Sequence, residues 1–285
     1  MSVQLANAYW TSAGPVEVHF GREWSLFDFA ERCSQAAEAG FVGIGLWHAD
    51  IEHQLESRSL EDMRRDLDDN GLRCYELEFL WDWFVDDDDR PAADRTRKML
   101  YEAAAVLDAH HVKAGNIPGK PCEMPRLNEA YAELVADAAE RCPGSRVLYE
   151  FMPFDVNVNS IDTALAVMEG VDNTGVVIDT WHMAKLGIEP EDLRRIPLER
   201  IGWIELSDGQ FETMEDPLDE VINRRKLPGE GEFPIREYVR VAQDMGYSEV
   251  WGVEVLSEDL RALPIDEMYR RTFEAASAQF EPVAA

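Results

Sequence analysis

Cysteine and histidine are scarce in this sequence of 285 residues, which contains four cysteines and six histidines. The cysteines lie far apart, at Cys33, Cys74, Cys122 and Cys142. No two of them have the spacing of paired metal ligands or of a compact disulfide framework. This excludes a zinc knuckle and a disulfide-stapled scaffold, and it predicts reduced cysteines in a cytoplasmic protein.

Basic residues are also few, because 27 lysines and arginines stand against 57 aspartates and glutamates, giving a formal net charge of −30. Such a field repels phosphate backbones and anionic lipid surfaces, so we expect neither a nucleic-acid partner nor a membrane partner. A solvated, salt-tolerant surface accounts for this charge more simply than an acidic binding function does.

Long apolar runs and glycine-rich loops are missing as well. No apolar run reaches the roughly 18 residues of a membrane span, and no basic segment followed by an apolar core opens the chain. We therefore expect a soluble protein. An open, doubly wound sheet is the main competing fold, but no glycine-rich phosphate loop follows the first predicted strand. Gly43 and Gly45 lie inside the second predicted strand and do not make one.

The sequence does contain a regular alternation of short, β-branched apolar runs with helical periodicities. The predicted strands are Val3–Tyr9, Phe41–Trp47, Arg73–Leu80, His111–Asn116, Arg146–Phe151, Gly175–Thr180, Ile201–Ser207 and Val250–Leu256. The predicted helices are Ser25–Ala39, Leu60–Asn70, Thr96–Ala109, Asn128–Arg141, Ile161–Met168, Ile235–Met245 and Ile265–Ala278. This pattern predicts an α/β fold, a single (β/α)8 TIM barrel that occupies residues 1–285 as one domain.

Acidic residues stand at the ends of four consecutive predicted strands, as Glu150, Asp179, Glu205 and Glu254. In a barrel of this kind, the carboxyl ends of the strands and the loops after them build one shared mouth. Buried carboxylates are costly to desolvate, so four of them together call for a cation or for matched bases. A divalent metal satisfies this need, and pairing with arginines at the rim or exposure in solvated loops is the alternative. The longest connection, Asp208–Glu232, follows the seventh strand and is also expected to serve function.

With these residues in view, the sequence resembles the sugar-phosphate isomerase/epimerase superfamily, whose members have a xylose isomerase-like TIM barrel. The resemblance covers nearly the whole chain and implies the barrel fold. The segments that carry it are Glu150, Asp179–His182, Ile204–Asp208, Leu227–Gly231 and Gly252–Glu254. In that order they are specific for the superfamily rather than for one substrate.

The resemblance implies a metal site. Members hold the ion with a fifth-strand Glu, a sixth-strand Asp, a seventh-strand His and an eighth-strand Glu, which here correspond to Glu150, Asp179, Glu205 and Glu254. The departure is Glu205, which stands where the family has His. A shell of carboxylates alone favours Mn²⁺ or Mg²⁺ over zinc. If Glu205 instead turns away and pairs with an arginine, three carboxylates remain as ligands.

The resemblance also implies groups that contact the substrate. His182 is expected to reach a substrate oxygen, with capping of the next helix as the alternative. Arg225 is expected to hold a carboxylate, a phosphate or a pair of hydroxyls, with Arg224 as the fallback and a surface ion pair as the alternative. His48 and Lys113 are weaker candidates at the same rim. Glu76 and Glu78 share one face of the third strand and need a partner if buried, for which Lys113 is a candidate.

The function implied is metal-dependent isomerisation or epimerisation of a small sugar or polyol-like ketone or aldehyde through an enediolate. Glu150 and Glu254 are the expected catalytic residues, one removing the proton and the other returning it. A lyase similar to 3-dehydroshikimate dehydratases is the first alternative, and a non-catalytic sugar-binding barrel is another. The endonuclease branch of the superfamily uses zinc ions and many histidines, which six histidines and a net charge of −30 do not favour. The sequence leaves a homo-oligomer open.

Overall fold

The eight strands form one closed parallel barrel in the order β1-β2-β3-β4-β5-β6-β7-β8, so that β8 pairs with β1. The computed structural model describes residues 3–19 and 21–280. The strands are β1 Leu5–Asn7, β2 Gly43–Trp47, β3 Arg73–Leu80, β4 His111–Ala114, β5 Arg146–Glu150, β6 Thr174–Asp179, β7 Ile201–Leu206 and β8 Trp251–Val253. The predicted (β/α)8 barrel is therefore confirmed.

The helices cover the outside of this barrel. They are α1 Tyr9–Ser12, α2 Phe29–Ala39, α3 His48–Gln54, α4 Leu60–Asp69, α5 Arg90–Leu107, α6 Met124–Arg141, α7 Ile161–Val167, α8 Thr180–Lys185, α9 Pro217–Asn223, α10 Ile235–Met245, α11 Glu258–Arg261 and α12 Ile265–Ser277. Short 3₁₀ helices span Pro190–Arg195, Leu198–Arg200 and Ala278–Phe280. Among the described residues, we find no helix whose length and apolar character would let it span a membrane.

Several predicted element boundaries differ from the structure. The first strand ends at Asn7 because Tyr9 already begins α1, and α2 begins at Phe29 because the Asp28 side chain caps it by accepting from Ala30 and Glu31. Helix α5 begins six residues before the predicted Thr96, at Arg90, and has a proline in its first turn.

The barrel interior changes character along its axis. At the amino-terminal end of the strands it is filled by a small apolar cluster in which Leu148 and Trp203 are almost fully buried and Tyr75 is half-buried. The rings of Tyr75 and Trp203 stack with centroids 5.3 Å apart. At the opposite end, Asp179 pairs in register with Glu205, and Glu205 pairs with Gly252. This register places acidic residues of neighbouring strands at one level of the barrel.

Candidate active site

The four acids at the strand ends converge, as the sequence predicts. Each of Glu150, Asp179, Glu205 and Glu254 offers a carboxylate oxygen, and these oxygens all lie within 4.8 Å of one another. All four side chains are buried. Such a group can be stable only if cations or protons offset its charge.

Lys113, the last residue but one of β4, provides one of these cations from inside the barrel. Its Nζ donates to Oε1 and Oε2 of Glu205 at 2.9 and 3.0 Å and to Oε1 of Glu254 at 3.1 Å. The same ammonium lies 3.7 Å from Oε2 of Glu150. Lys113 is fully buried and is not among the residues that line the cavity described below. Its ammonium therefore acts on the mouth through the carboxylates that surround it.

Glu76 and Glu78 add two more carboxylates to the same interior, and Lys113 is the partner of both, at 3.6 Å from each. Glu76 Oε2 and Glu78 Oε1 have no hydrogen-bond partner within the described part of the chain. Gly45 makes room for this arrangement, because a Cβ at that position would lie 2.3 Å from Oε1 of Glu76. A side chain on β2 would therefore displace a carboxylate from the barrel interior.

Burial and neighbouring charges shift these groups in different directions. Burial raises the pKa of Glu78 well above its usual range, with Lys113 opposing the rise and Glu76 adding to it. Burial also raises the pKa of Glu150, but Lys113 and His182 outweigh it and bring the pKa down to about 2. Burial lowers the pKa of Lys113, yet the carboxylates, Glu150 foremost, raise it well above its usual value. The ammonium and the Glu150 carboxylate are thus both charged at neutral pH.

Arg225 supplies a second buried cation. Its Nη1 donates to Oδ2 of Asp179 at 2.6 Å and to Oε2 of Glu254 at 3.2 Å, and its guanidinium lies over the ring of Trp181. Arg224, the fallback from the sequence, is instead partly exposed and pairs with Asp219 and Glu258. Of the two neighbouring arginines, Arg225 is the one that reaches the carboxylates.

The position of Arg225 depends on the end of β7. Asp208 accepts hydrogen bonds from the backbone N–H groups of Gly229, Gly231 and Phe233, at 2.9 to 3.0 Å. Asp208 also forms an antiparallel bridge with Lys226. One buried carboxylate thereby fixes the segment that carries Arg225.

His182 lies on α8, where it follows Asp179 by one helical turn. Its Nε2 is 3.3 Å from Oε1 of Glu150 and 3.5 Å from Oδ2 of Asp179. Its Nδ1 is buried and has no hydrogen-bond partner among the described residues. The imidazole therefore faces the carboxylate cluster with one nitrogen.

His48 begins α3 and lies apart from the cluster. Its ring contacts those of Trp47 and Trp81, with centroid distances of 4.5 and 5.1 Å, and it is not among the residues lining the cavity. Burial lowers the pKa of His48 to about 4, so this ring is neutral at pH 7. The structure does not bring His48 to the carboxylates.

A cavity opens beside the cluster, and its lining combines polar and apolar side chains. It is lined by Trp10, His19, Trp47, Glu78, Phe79, Ile117, Glu150, Met152, Phe154, His182, Val221, Ile222, Arg225, Glu254 and Leu256. Sequence reasoning missed Trp10, His19 and Phe154. The position of Trp10 just after β1 is the signal that could have found it, since residues that follow barrel strands build the mouth.

The residues present fit a divalent cation. Two groups of ligand atoms are close enough to share one, and both contain Glu150 and Asp179. The first group adds His182, and the second adds Glu205 and Glu254. Oε1 of Glu78, which lines the cavity beside them, has no hydrogen-bond donor within the described part of the chain and is a further free acceptor there. Carboxylate oxygens with or without one imidazole are a donor set for Mg²⁺, Mn²⁺ or related ions.

Comparison with curated proteins finds relatives of two kinds. A protein named 3-dehydroshikimate dehydratase from Pseudomonas aeruginosa is 26% identical over 243 residues, which cover 82% of this chain and 37% of that protein. A protein named inosose isomerase from Bacillus licheniformis is 25% identical over 146 residues, which cover 48% of this chain and 51% of that protein. The matched regions thus span about half or less of these two relatives.

Solved structures share the fold. A protein named IOLI, described with a bound zinc atom, superposes with a TM-score of 0.79 at 20% identity and covers 97% of this chain and 98% of its own. A D-psicose 3-epimerase, described in the presence of D-fructose, superposes with a TM-score of 0.70 at 16% identity and covers 97% of this chain and 98% of its own. Residues 33–278 match the family model described as the xylose isomerase-like TIM barrel. The chain belongs to that family.

Proposed function

We propose that this chain is a metal-dependent isomerase or epimerase that moves a proton between carbons of a small polyhydroxy ketone or aldehyde. The observation that carries the proposal is that Glu150 and Glu254 line one cavity beside ligand atoms that lie within 4.8 Å of one another and can share a cation. The family membership and the relatives named inosose isomerase and D-psicose 3-epimerase support it.

A carbon-bound proton next to a carbonyl is only weakly acidic, so its removal needs a base and a stabilised enediolate. A bound divalent cation, which we propose to be Mn²⁺ or Mg²⁺, supplies the electrophile for the substrate oxygens. Glu150 and Glu254 each face the cavity, and one removes the proton while the other returns it. Arg225 lines the same cavity and holds substrate oxygens by donating hydrogen bonds, and His182 lines it with Nε2 directed at Glu150 and Asp179.

The cavity walls favour a compact substrate. Trp47, Phe79 and Phe154 line the cavity together with its polar groups, and Arg225 is the one arginine or lysine among the cavity-lining residues. Arg225 already pairs with Asp179 and Glu254. This wall favours an uncharged polyol-like carbonyl compound over a phosphorylated one, because no second cation is available to pair with a phosphate.

A lyase is the second candidate, because the relative from Pseudomonas aeruginosa is named 3-dehydroshikimate dehydratase. Such an enzyme begins with the same proton removal and then expels a hydroxyl group as water. A conjugated product that absorbs ultraviolet light would distinguish this outcome from isomerisation.

The test is a screen for hydrogen exchange, in which candidate polyol ketones and aldehydes are incubated with the protein and Mn²⁺ in deuterated water. We expect deuterium at the carbon next to the carbonyl, detected by nuclear magnetic resonance, with loss of at least about 1000-fold in rate for Glu150→Gln and Glu254→Gln, as for removal of a group acting in proton transfer. Glu258→Gln, which changes a partly exposed acid just after the same strand, is the matched control. Exchange retained in both active-site variants would refute the proposal. Metal-dependent sugar binding without exchange would favour a non-catalytic barrel.

A further inference from the structure

We infer that Lys113 withdraws Glu205 from metal binding, and that the cation is held at the Glu150–Asp179–His182 position instead. The inference deepens the proposed function and rests on its metal dependence. It concerns which of the two groups of ligand atoms holds the ion, since Glu150 and Asp179 belong to both.

The first step is the state of Glu205. Both of its carboxylate oxygens accept hydrogen bonds from Nζ of Lys113, at 2.9 and 3.0 Å, and Oε1 also accepts one from Nε1 of Trp203 at 3.2 Å. Three hydrogen bonds from two donor groups thus engage a side chain that is fully buried. To bind a cation, Glu205 would have to give up its hydrogen bonds from Lys113. Among the described contacts, Glu254 is the one other acceptor at a comparable distance from this ammonium.

The second step is the charge of Lys113 itself. Its ammonium lies 3.1 Å from Oε1 of Glu254 and within 3.7 Å of Glu150, which places it among the same carboxylates that form the second group. A divalent cation on Glu205 and Glu254 would meet this fixed positive charge at close range, where low dielectric leaves repulsion poorly screened. Lys113 therefore serves as a tethered cation for that half of the cluster.

The third step is the alternative donor. Nε2 of His182 is 3.3 Å from Glu150 and 3.5 Å from Asp179, and neither Lys113 nor Trp203 contacts any of its atoms among the described hydrogen bonds and ion pairs. His182 is 2% exposed, and its unpartnered Nδ1 leaves the ring without a competing hydrogen bond. Its Nε2 lies beside two carboxylates, and one imidazole with two carboxylates is a set of donors that suits Mn²⁺.

The charge balance agrees with this assignment. Burial raises the pKa of Glu205 well above its usual range and Lys113 opposes the rise, so in either state of this carboxyl group Lys113 and Glu205 together bring no net negative charge to the cluster. Arg225 in turn offsets one charge of Asp179 and Glu254. Lys113 is thus the compensating partner of Glu205.

The experiment measures Mn²⁺ binding to chelator-treated full-length protein by calorimetry and by electron paramagnetic resonance of the free ion. In the double variant Lys113→Met, Glu205→Met, the ammonium and the carboxyl group are removed together, and we expect Mn²⁺ affinity within threefold of wild type. His182→Leu should weaken Mn²⁺ binding at least about tenfold. Lys113→Met alone should tighten binding at least about tenfold, because it removes the fixed positive charge from the carboxylates.

The outcomes separate the two positions. Weak Mn²⁺ binding in the double variant with near wild-type binding in His182→Leu would overturn the inference. Weakened Mn²⁺ binding in both variants, or in neither, would also overturn it. An unchanged affinity in Lys113→Met would overturn the role given to its ammonium. If His182→Leu does not fold by circular dichroism, His182→Gln replaces it, and a shift in preference from Mn²⁺ toward Mg²⁺ is then expected; no shift overturns the inference. Wild-type protein that binds no Mn²⁺ would refute the proposed function as well, whereas binding with the wrong pattern refutes only the ion position.

Discussion

The two ends of the barrel interior are built from the same strands but hold opposite kinds of side chain. On β7, Trp203 packs into the apolar cluster at the amino-terminal end, while Glu205, two residues later, meets Lys113. On β4, His111 lies beside the Trp203 ring, and Lys113 follows two residues later. Two residues along each strand therefore separate the apolar cluster at the amino-terminal end, which we call the floor, from the cluster of ion pairs at the mouth. The comparison assigns close apolar packing to the floor, and buried ion pairs and chemistry to the mouth.

The largest effect expected from this comparison is at Arg225. Arg225→Met would leave the buried oxygens of Asp179 and Glu254 without their cation, and breaking a buried pair costs about 3–5 kcal/mol in the free energy of unfolding. Urea denaturation measures this cost, and the exchange rate should fall in parallel. The matched control is Arg240→Met, whose side chain is more than half exposed and should show no measurable change. Equal effects of the two substitutions would contradict the buried role of Arg225.

A smaller effect is expected at the floor. A Cβ at Gly202 would lie 2.4 Å from Cδ2 of Leu148, so Gly202→Ala overpacks the apolar cluster and should cost about 1–3 kcal/mol of stability. Exchange kinetics at a temperature well below unfolding should stay as in wild type, because the mouth is untouched. Gly144→Ala is the control, since its added Cβ would meet Asp108 at an ordinary 3.5 Å. A loss of exchange in folded Gly202→Ala protein would show that the two ends are coupled.

The smallest effect expected is a pH dependence that arises at the floor. Burial, together with Arg73 and Arg146, lowers the pKa of His110 to about 4, whereas an unfolded histidine titrates near 6.5. The unfolded chain therefore takes up a proton first, and stability falls as the pH decreases from about 6.5 to about 4, whereas at pH 7 this group has no effect. Denaturation across this range should show a shallower fall for His110→Gln than for wild type. His53→Gln, on partly exposed α3, is the control, and an unchanged slope in His110→Gln would contradict the assignment.

Sequence patterns predicted all eight strands, because strands buried on both faces appear as short apolar runs. The ends of the strands were less accessible to prediction. The last one was predicted as Val250–Leu256 but pairs only over Trp251–Val253, since burial extends beyond the hydrogen-bonded ladder. The assignment of residues 1–285 to one domain stays a prediction.

The convergence of Glu150, Asp179, Glu205 and Glu254 could be predicted because strand ends in a barrel share one mouth. The enclosure of Lys113 could not, because it pairs with Glu205 and Glu254, which lie 92 and 141 residues away in the chain. Such contacts cross the barrel and exist only after closure. The space that Gly45 leaves for Glu76 was missed for the same reason, as a glycine inside a strand gives no local sign of what fills its place.

The way Asp208 ties down the backbone around Gly229 and Gly231 has a consequence for how this chain can vary. Residues 210–216 form an exposed stretch after β7. The segment that bears Arg225 is anchored at Asp208, through the bridge between Arg224 and Ser257, and through the hydrogen bond that Nε of Arg225 donates to the backbone oxygen of Val221. We expect that the exposed stretch can lengthen, shorten or change composition without moving the guanidinium. It is therefore the place where we expect relatives to diverge in substrate choice, and where new sequence can be introduced next to an unaltered active site.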